Sequence, residues 1–584
     1  MHVVSLSEVS VSQSAKLPVI RRRPIATVAD WPEMPPVLAR VLAARGITSM
    51  SEVPLTLDRL PSPEGLPGLA EALALLLEAR RANWRILVVG DYDADGATAT
   101  ALMLRGLTMF GFARPGFLVP DRFRYGYGLS PEIVELARAE AAPDLIITVD
   151  NGISSVEGVA AAQAAGIRVL ITDHHLPGAR LPSAEAIVNP RLDPASPFHN
   201  LAGVGVAFYL ILALRAALRE ATLLPAAANP ASLLDLVALG TVADVVALDR
   251  INRILVEQGL RRLRAGHGLP GIRALLDVGG RDASRVVAQD LGFVVGPRLN
   301  AAGRIDDMTR GIACLLCDDP ARAREHALEL DAINRERRGI EQGMRDEADR
   351  QVAQLREQGE LPLGICLHDR YWHEGVVGIL ASRVKQALHR PVIAFAPAQE
   401  KGLLKGSGRS IRGLHLRDVL DAMATRHPGL LRKFGGHAMA AGMTLSADQL
   451  PLFTELFAST VAEFAPPGVF ANVVETDGAL TDTELTLKNA ELLAHAFPWG
   501  QGFPPPCFDG EFEVLDQRVV GERHLKLTLG LPASGGIIDA IHFNAALERW
   551  SAGCQRVAGV YQLNVNEYRG QRSPQLLFDY LVPA

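Results

Sequence analysis

Apolar residues between about positions 68 and 190 fall into two alternating patterns. Short apolar runs, RILVVG (85–90), DLIITV (144–149) and RVLIT (168–172), are typical of buried strands. Longer stretches with helical spacing separate these runs. Strands that alternate with helices predict right-handed βαβ units and a parallel sheet, and strands without polar alternation predict that both faces of the sheet are covered.

Three further patterns follow along the chain. Residues 203–275 are mostly helical in pattern, and a second alternation of strands and helices occupies about 361–464. Between these regions, a heavily charged segment carries a narrow apolar stripe, which predicts one long bridging helix. The stripe consists of Ile333, Ile340, Met344, Val352 and Leu355. Five strand-like runs after the APPG segment at 465–468 predict a small antiparallel barrel.

A chain of 584 residues is too long for one hydrophobic core, and its length predicts three or four domains. The predicted fold class is α/β, with a parallel-sheet domain, a long connecting helix, a smaller α/β domain and a C-terminal β-barrel. The expected segments are a lead-in at 1–64, the parallel-sheet domain at 65–317, the connecting helix at 318–360, the second α/β domain at 361–465 and the barrel at 466–584. Within the lead-in, we expect an irregular arm and a short helix near 36–45.

Composition narrows the class of protein. Apolar residues make up 48% of the chain and charged residues 21%, as in a globular protein rather than a disordered or fibrous one. The formal net charge of −6 means that any phosphate-binding surface must be a local basic groove. Five scattered cysteines suit a reducing cytosol, and Cys314 and Cys317 are expected to be buried core thiols. The sequence has no apolar run that could cross a bilayer and no pattern of an export signal, so we expect a cytoplasmic protein.

Acidic residues and histidines directly follow three of the predicted strands. The first strand leads into the segment 91–95, DYDAD, the second into Asp150-Asn151, and the third into Asp173-His174-His175. Because ligands bind at the carboxyl edge of an open parallel sheet, the three segments are expected to converge on one crevice. A single Asp after a strand is often only a helix N-cap, and Asp95 would suit that role. Three such segments together favour a functional site.

This set of residue types suits divalent cations. Carboxylate oxygens and imidazole nitrogens are ligands for Mg²⁺ or Mn²⁺, and several carboxylates with a histidine can hold two ions about 3.5–4 Å apart. Such a pair lowers the pKa of a bridging water and neutralises charge on a phosphorane-like transition state. The predicted reaction class is therefore hydrolysis of a phosphate ester or anhydride. VVGDYDADG is not a GxGxxG motif, and the Walker A motif is absent, which disfavours dinucleotide-binding and P-loop proteins.

The motifs in this region resemble those of a known family. DYDADG, VDNG, TDHH and GTVADVV resemble the four successive motifs of the DHH phosphoesterases. Further segments between about 65 and 445 resemble the RecJ branch of that family, namely PDRFRYGYG, GPRLNAAGRI, YWHEGVVGI, GSGRS and FGGHAMAAG. The resemblance implies a DHH domain, a DHH-associated substrate domain and a C-terminal OB-fold-like nucleic-acid-binding domain.

The resemblance also implies roles for the acidic residues and histidines. The implied catalytic residues are Asp93, Asp95, Asp150, His174, His175 and Asp244, and all of these except His175 are implied metal ligands. Asp150 would bridge two cations, Asp91 would orient its loop, and His175 would point at the scissile phosphate. Without the family pattern, Asp244 could be a helix cap and Asp235 would be an equally plausible site residue. Some family members have a His at the position of Val89, so its absence here implies a first cation that is held more weakly or keeps an extra water.

Arginines beside glycines are candidates for phosphate binding, because glycine permits close approach and arginine binds bidentately. The resemblance favours Arg298 and Arg304, together with Asn300 from the same motif. It also implies a pocket for the 5′-terminal phosphate, formed by Ser407, Arg409 and Arg122, with Arg122 preferred to Arg124.

Two further features carry weaker indications. Arg412 also lies among small residues, without a role implied by the family. Gly435, Gly436 and His437 are implied to contact a nucleotide, and the alternative for this segment is a tight turn before a helix with a buried His.

Taken together, the resemblance implies an exonuclease that uses two Mn²⁺ or Mg²⁺ ions to degrade single-stranded DNA 5′→3′ to mononucleotides in recombination and repair. Two lobes joined by a long helix predict a cleft for one strand, which basic barrel residues such as Arg518, Arg523 and Lys526 could guide. Analogy suggests a single-strand-binding protein and a RecQ-type helicase as partners, a monomer, and no membrane. The alternatives are a DHH activity on short oligonucleotides, pyrophosphate or cyclic dinucleotides, and a non-catalytic single-strand-binding scaffold.

Overall fold

The computed structural model of the chain describes residues 18–25, 31, 33–113, 115–121, 124–521, 523–531, 533–545, 550 and 553–584. They divide into two units. The large unit comprises Arg22–Asp331 and Glu475–Ala584, and the small unit comprises Ala332–Val474 with the N-terminal residues up to Arg21. Strand β1 (Val19–Arg22) and helices α1 (Pro36–Ala43) and α2 (Leu69–Ala82) come first, so the short helix expected near 36–45 is confirmed.

A five-stranded parallel sheet forms the centre of the large unit. Its strands are β2 (Ile86–Gly90), β3 (Gly116–Leu118), β4 (Leu145–Val149), β5 (Arg168–Thr172) and β6 (Ala186–Val188), in the spatial order β3-β2-β4-β5-β6. Every neighbouring pair is parallel. All residues of β2 and β4 are buried, as the apolar runs predicted for a sheet covered on both faces.

Helices surround this sheet and build the rest of the domain. They are α3 (Ala94–Met109), α4 (Pro131–Glu140), α5 (Val156–Ala164), α6 (Gly203–Glu220), α7 (Leu234–Ala243), α8 (Arg250–Arg264), α9 (Pro270–Val278), α10 (Ala288–Asp290), α11 (Gly296–Ile305) and α12 (Thr309–Leu316). A π-helical turn, Leu291–Val295, leads directly into α11. Helix α3 packs against α6 and α7, because its small alanine and glycine side chains allow close approach. Cys314 is buried as expected, and Cys317 is half-buried.

The predicted bridging helix is confirmed as α13 (Pro320–Glu357), a single helix of 38 residues. Ile333, Met344 and Val352 of the predicted stripe are buried, while Ile340 and Leu355 are half-buried. The remaining positions are mostly charged and exposed, so the predicted apolar stripe is the side of the helix that packs against the protein.

The small unit contains a second sheet, of mixed direction. Its strands are β7 (Ile365–His368), β8 (Val392–Pro397), β9 (Leu403–Arg409), β10 (Lys433–Gly436) and β11 (Ala440–Ser446), in the order β10-β11-β9-β8-β7. Only β7 and β8 are parallel. Helices α14 (Val377–Leu388), α15 (Leu416–Arg426) and α16 (Leu450–Phe464) complete the unit. The core includes Phe395, Phe453 and Phe457.

After β12 (Val473–Thr476) and α17 (Leu487–His495), the chain forms a closed five-stranded barrel. Its strands are β13 (Phe508–Val520), β14 (His524–Leu531), β15 (Gly536–His542), β16 (Arg556–Tyr568) and β17 (Gln571–Pro583). The predicted barrel is confirmed, but it is not purely antiparallel, because β15 and β17 pair in parallel to close it. Within the large unit, Asp477 anchors the barrel end by accepting from both Arg45 and Arg23. Among the residues described, no helix has the length and apolar character that would let it cross a membrane.

Candidate metal centre

The acidic segments meet at the carboxyl edge of the parallel sheet. The last residues of the three central strands, Gly90, Val149 and Thr172, are direct neighbours in the register. Asp91, Asp150 and Asp173 follow these residues, so the topology alone brings their segments together. The predicted crevice is therefore present.

Three overlapping clusters in the described part of the chain have ligand atoms within 4.8 Å of one another. They are Asp150 with His174 and His175, Asp95 with His174 and Asp244, and Asp91 with Asp93 and Asp150. The structure thus brings together every acid and histidine that the resemblance implied, including Asp91. The shared members, Asp150 and His174, lie at the centre of this set.

Two buried atoms of the centre face each other without a hydrogen bond. The Nε2 atom of His174 lies 3.1 Å from Oδ1 of Asp150, and both atoms lack a hydrogen-bond partner. Oδ2 of Asp244 lies 3.7 Å from the same nitrogen. Leaving such atoms unsatisfied in the interior is unfavourable, whereas a cation between them would accept lone pairs from all three. The donors present therefore fit a divalent metal.

Electrostatics points the same way. Burial, together with the charge of the adjacent His175, lowers the pKa of His174 to about 3, so its imidazole is neutral and able to bind metal. Burial, followed by the charge of neighbouring carboxylates, raises the pKa of Asp95 and Asp150 well above the usual range. Burial and the charge of Asp93 raise the pKa of Asp244 to about 7. Divalent cations would relieve this mutual repulsion.

Asp173 organises the two histidines, a role that the sequence analysis missed. Its Oδ1 accepts from the backbone N–H groups of His174 and His175 and lies 2.7 Å from Nδ1 of His175, while Oδ2 accepts from the N–H of Ile153. Burial by itself would lower the pKa of His175, but the hydrogen bond to Asp173 together with the charges of the nearby carboxylates outweighs burial and raises that pKa to about 9. The missed signal was positional, because Asp173 follows β5 just as Asp150 follows β4.

The helix-cap interpretation of the first acidic segment applies to a different residue than expected. Asp93, not Asp95, is the N-cap of α3, and its side chain accepts from the N–H of Gly96. Asp95 instead accepts from the N–H groups of Gly203 and Val204 at the start of α6, at 2.6 and 3.0 Å. The helix N-terminus fixes this carboxylate, whose remaining lone pairs stay available for a cation.

Asp235 and Asp244, which the residues alone could not separate, lie at opposite ends of α7. Asp235 accepts from the N–H groups of Leu236 and Leu269 and belongs to none of the three clusters. Asp244 caps the C-terminus of α7 and contacts the metal centre. Asp244 is therefore a helix-end residue that also lies beside the predicted ligand His174.

Close approach around the centre requires glycine at two positions. A Cβ at Gly203 would lie 2.6 Å from Cβ of Asp150, and one at Gly240 would lie 2.8 Å from Oδ1 of Asp95. Asp150 itself has a left-handed backbone, with φ of 61°. Such conformations in non-glycine residues are found where the surrounding structure enforces them, often at functional sites.

Tyr127 is a second residue that the sequence analysis missed. Its hydroxyl donates to the backbone carbonyl of Asp150 at 3.0 Å and lies 3.2 Å from Nδ1 of His175. Burial and the nearby carboxylates raise the pKa of Tyr127 well above its usual value, so the hydroxyl keeps its proton. The segment PDRFRYGYG was noticed for its arginines, and among its described residues Tyr127 reaches the centre.

The GPRLNAAGRI segment supports the centre from α11. The side chain of Asn300 accepts from the N–H of Ala94 at 2.8 Å and so holds the loop that carries Asp93. Arg298 is buried, and its guanidinium donates to Asp331 and to the carbonyl of Val294. Arg304 is half-buried at the end of the helix. The structure thus gives Asn300 and Arg298 hydrogen-bond partners within the protein.

The remaining predicted phosphate contacts lie in the small unit. Nη1 of Arg409 donates to Oγ of Ser407 at 3.0 Å, next to the N-terminus of α14, where a Cβ at Gly378 would lie 2.9 Å from both side chains. Among the residues described, no carboxylate pairs with Arg409. An unpaired guanidinium, a hydroxyl and a helix N-terminus form a group that suits an anion.

The other residues considered for substrate binding differ in where the structure places them. Gly435 and Gly436 end strand β10, and His437 is exposed in the hairpin before β11, so the alternative of a buried His before a helix is wrong. Arg122 lies outside the described residues. Arg124 is exposed and stacks on Tyr125, and Arg412 is exposed.

Comparison with known proteins agrees with this arrangement. Three family models match: the N-terminal domain of the DHH family at residues 85–241, the DHHA1 domain at 361–463 and the RecJ OB domain at 476–580. The single-stranded-DNA-specific exonuclease RecJ of Dickeya dadantii is 53% identical and that of Escherichia coli 52%, each across 97% of this chain and 99% of the relative.

Solved structures give the same result. A crystal structure of RecJ in complex with Mn²⁺ from Thermus thermophilus is 32% identical, with a TM-score of 0.78, and covers 97% of this chain and 80% of that one. A Mg²⁺ complex from the same organism gives a TM-score of 0.72 at 30% identity, covering 96% of this chain and 78% of that one. Given this near-full-length similarity and the three matching domains, the chain belongs to the RecJ family.

Proposed function

We propose that this chain is a metal-dependent exonuclease that degrades single-stranded DNA in the 5′→3′ direction to mononucleotides, in recombination and repair. The observation that carries the metal dependence is the unsatisfied pair of Asp150 Oδ1 and His174 Nε2. The substrate class follows from the RecJ relatives, which are single-stranded-DNA-specific exonucleases, and the polarity follows from the motif resemblance.

The proposed ligands for two Mn²⁺ or Mg²⁺ ions are Asp93, Asp95, Asp150, His174 and Asp244. Bound cations would lower the pKa of coordinated water and offset the charge that develops on the scissile phosphate. The chain supplies preorganisation, because Asn300 holds the loop of Asp93 and the start of α6 holds Asp95. Such fixed ligands need no rearrangement when substrate arrives.

His175 is proposed to face the substrate phosphate. Nδ1 of the ring is hydrogen-bonded to Asp173, so Nε2 is the nitrogen that can donate to a phosphate oxygen. With its pKa raised to about 9, the ring carries a positive charge at neutral pH. Asp173 and Tyr127 fix the orientation of the ring and so act as positioning residues.

We propose that the domains predicted from the sequence, with boundaries at about 65, 318, 361 and 466, divide this function among them. The DHH domain would carry the chemistry, Ser407 and Arg409 of the DHH-associated domain would bind the 5′-phosphate, and the barrel would bind the strand. We also propose a monomeric, cytoplasmic protein that works with a single-strand-binding protein and a RecQ-type helicase. These last points rest on analogy with the family.

Digestion of a long single-stranded DNA labelled at one end tests the proposal directly. With Mn²⁺ or Mg²⁺, a 5′-labelled strand should release labelled mononucleotide at once, whereas a 3′-labelled strand should shorten gradually; EDTA should stop both reactions. The Asp150→Ala variant should bind the strand without degrading it. Survival of the strand while dinucleotides or pyrophosphate are consumed would replace this proposal with the small-substrate activity. Strand binding without hydrolysis under any metal would favour the scaffold.

A further inference from the structure

Phe293 is the most exposed phenylalanine among the residues described. It lies in the π-helical turn Leu291–Val295, and 76% of its surface is open to solvent. Leu291 and Val295 of the same turn are fully buried, and Val294 is 9% exposed. The turn is therefore held firmly by its apolar neighbours while one aromatic ring projects outward. π-Helical turns of this kind are often found at functional sites.

The position of the turn connects Phe293 with the metal centre. A Cβ at Gly292 would lie 3.1 Å from Cγ1 of Val242, and one at Gly296 would lie 3.3 Å from Cβ of Ala243. The residues on both sides of Phe293 thus pack on the last turn of α7, and the next residue of that helix end is Asp244. The turn that carries Phe293 therefore packs against the end of the helix that holds Asp244.

A second exposed apolar side chain lies next to Asp244 in the sequence. Val245 directly follows Asp244, is 63% exposed, and has a left-handed backbone with φ of 64°. A β-branched residue is a clear outlier in this region of backbone space. The fold maintains this conformation and thereby exposes an apolar side chain beside a proposed metal ligand.

The backbone turn that carries Phe293 is also fixed with respect to the loop that carries Asp93. Arg298 donates to the carbonyl of Val294 at 2.5 Å and to Asp331 at 3.0 Å, which ties the turn to α13. The same helical run continues into α11, where Asn300 holds the N–H of Ala94. A side chain on a preorganised turn loses less conformational entropy on binding than one on a mobile loop.

We propose that Phe293 is a stacking platform for one nucleobase of the substrate strand, beside the metal centre and with Val245 as an apolar contact. The proposal rests on the proposed function and deepens it. A base can stack on a protein ring only when it is free of its partner strand, and every base offers a flat face. The contact would therefore favour single strands while tolerating any sequence.

The test uses single-stranded oligonucleotides that carry one 2-aminopurine at successive positions from the 5′ end, in EDTA so that no cleavage occurs. Stacking quenches the fluorescence of this base. The wild-type protein should quench one internal position, Phe293→Trp should preserve the quenching, and Phe293→Ala and Phe293→Leu should lose it. With metal present, Phe293→Ala should raise KM about tenfold at a nearly unchanged kcat.

Leu223→Ala, which removes another exposed apolar side chain of the large unit, is the matched control and should behave like wild type. Unchanged quenching in Phe293→Ala would overturn the proposal. So would full activity of Phe293→Leu, because a merely apolar contact would survive that change while stacking would not. Failure of the proposed function would be distinct, since the wild-type protein itself would then neither bind nor degrade the strand.

Discussion

At the scale of single residues, the two ends of helix α7 offer a matched comparison. Asp235 is buried and bonds only to backbone N–H groups, whereas Asp244 is half-buried and lies 3.7 Å from Nε2 of His174. We expect Asp244→Asn to lower kcat by at least about tenfold and to weaken metal binding, because a charged ligand is lost. Asp235→Asn should lower stability by about 1–3 kcal/mol while activity persists.

Metal-dependent digestion and urea unfolding of the two variants measure these effects. An Asp244→Asn protein with wild-type turnover would remove this residue from the site. Equal loss of activity in both variants would indicate that damage to α7, rather than to a ligand, is responsible.

The sequence predicted the members of the site but not the partner of each atom. The rule that ligands gather at the carboxyl ends of parallel strands was enough to bring Asp91, Asp150 and His174 together. It could not show that Asp95 also bonds to the start of α6, because that helix follows about a hundred residues later. The roles of Asp173 and Tyr127 depend on side-chain direction, which a strand pattern does not specify.

At the scale of elements, the start of α6 limits the space around Asp150. Gly203→Ala would place a methyl group 2.6 Å from Cβ of Asp150, so the carboxylate must shift and activity should fall about 10- to 100-fold. Gly205→Ala is the control on the same helix, because its methyl group would meet only the side chain of Leu201 at 3.1 Å. Steady-state kinetics together with thermal unfolding of both proteins separate the two effects. Equal activity of the two variants would contradict the close packing described here.

Element types were predicted better than their connections. The apolar runs of β2, β4 and β5 and the stripe of α13 predicted those elements because periodicity reports burial directly. The parallel pairing of β15 with β17 was not predicted. The five strand-like runs after residue 468 show that strands are present, but not which strands pair when the barrel closes. The exposed position of His437 likewise depends on a hairpin, whereas the alternative considered from the sequence was a turn before a helix.

At the scale of the whole molecule, the acidic centre couples stability to pH. In the metal-free protein, Asp244 has its pKa raised to about 7, so the folded state binds its proton more tightly than the unfolded state does. The contribution of Asp244 to the free energy of unfolding is therefore greatest at low pH and is lost as pH rises towards 7. The pKa of His175 is raised to about 9, so this residue also lowers the free energy of unfolding as pH rises from about 6.5 to about 9.

His174, whose pKa is lowered to about 3, acts in the opposite direction, but only below about pH 6.5. We therefore expect the Tm measured in EDTA to fall between pH 6.5 and pH 8. We also expect Mn²⁺ to stabilise the protein more at pH 8 than at pH 5. Asp244→Asn, which mimics the protonated acid, should be more stable than wild type in EDTA at pH 8. A Tm in EDTA that rises between pH 6.5 and pH 8, with no extra effect of Mn²⁺, would contradict the repulsion among these carboxylates.

The most direct test of the metal centre is a Mn²⁺ titration of the wild-type protein and of Asp150→Asn and His174→Ala, with bound ions counted by electron paramagnetic resonance. We expect about two ions per wild-type chain. Each variant should bind fewer ions or bind them more weakly, because Asp150 Oδ1 and His174 Nε2 are the two facing atoms of the site that lack hydrogen-bond partners. Wild-type stoichiometry and affinity in both variants would show that the cations are held elsewhere and would contradict this account.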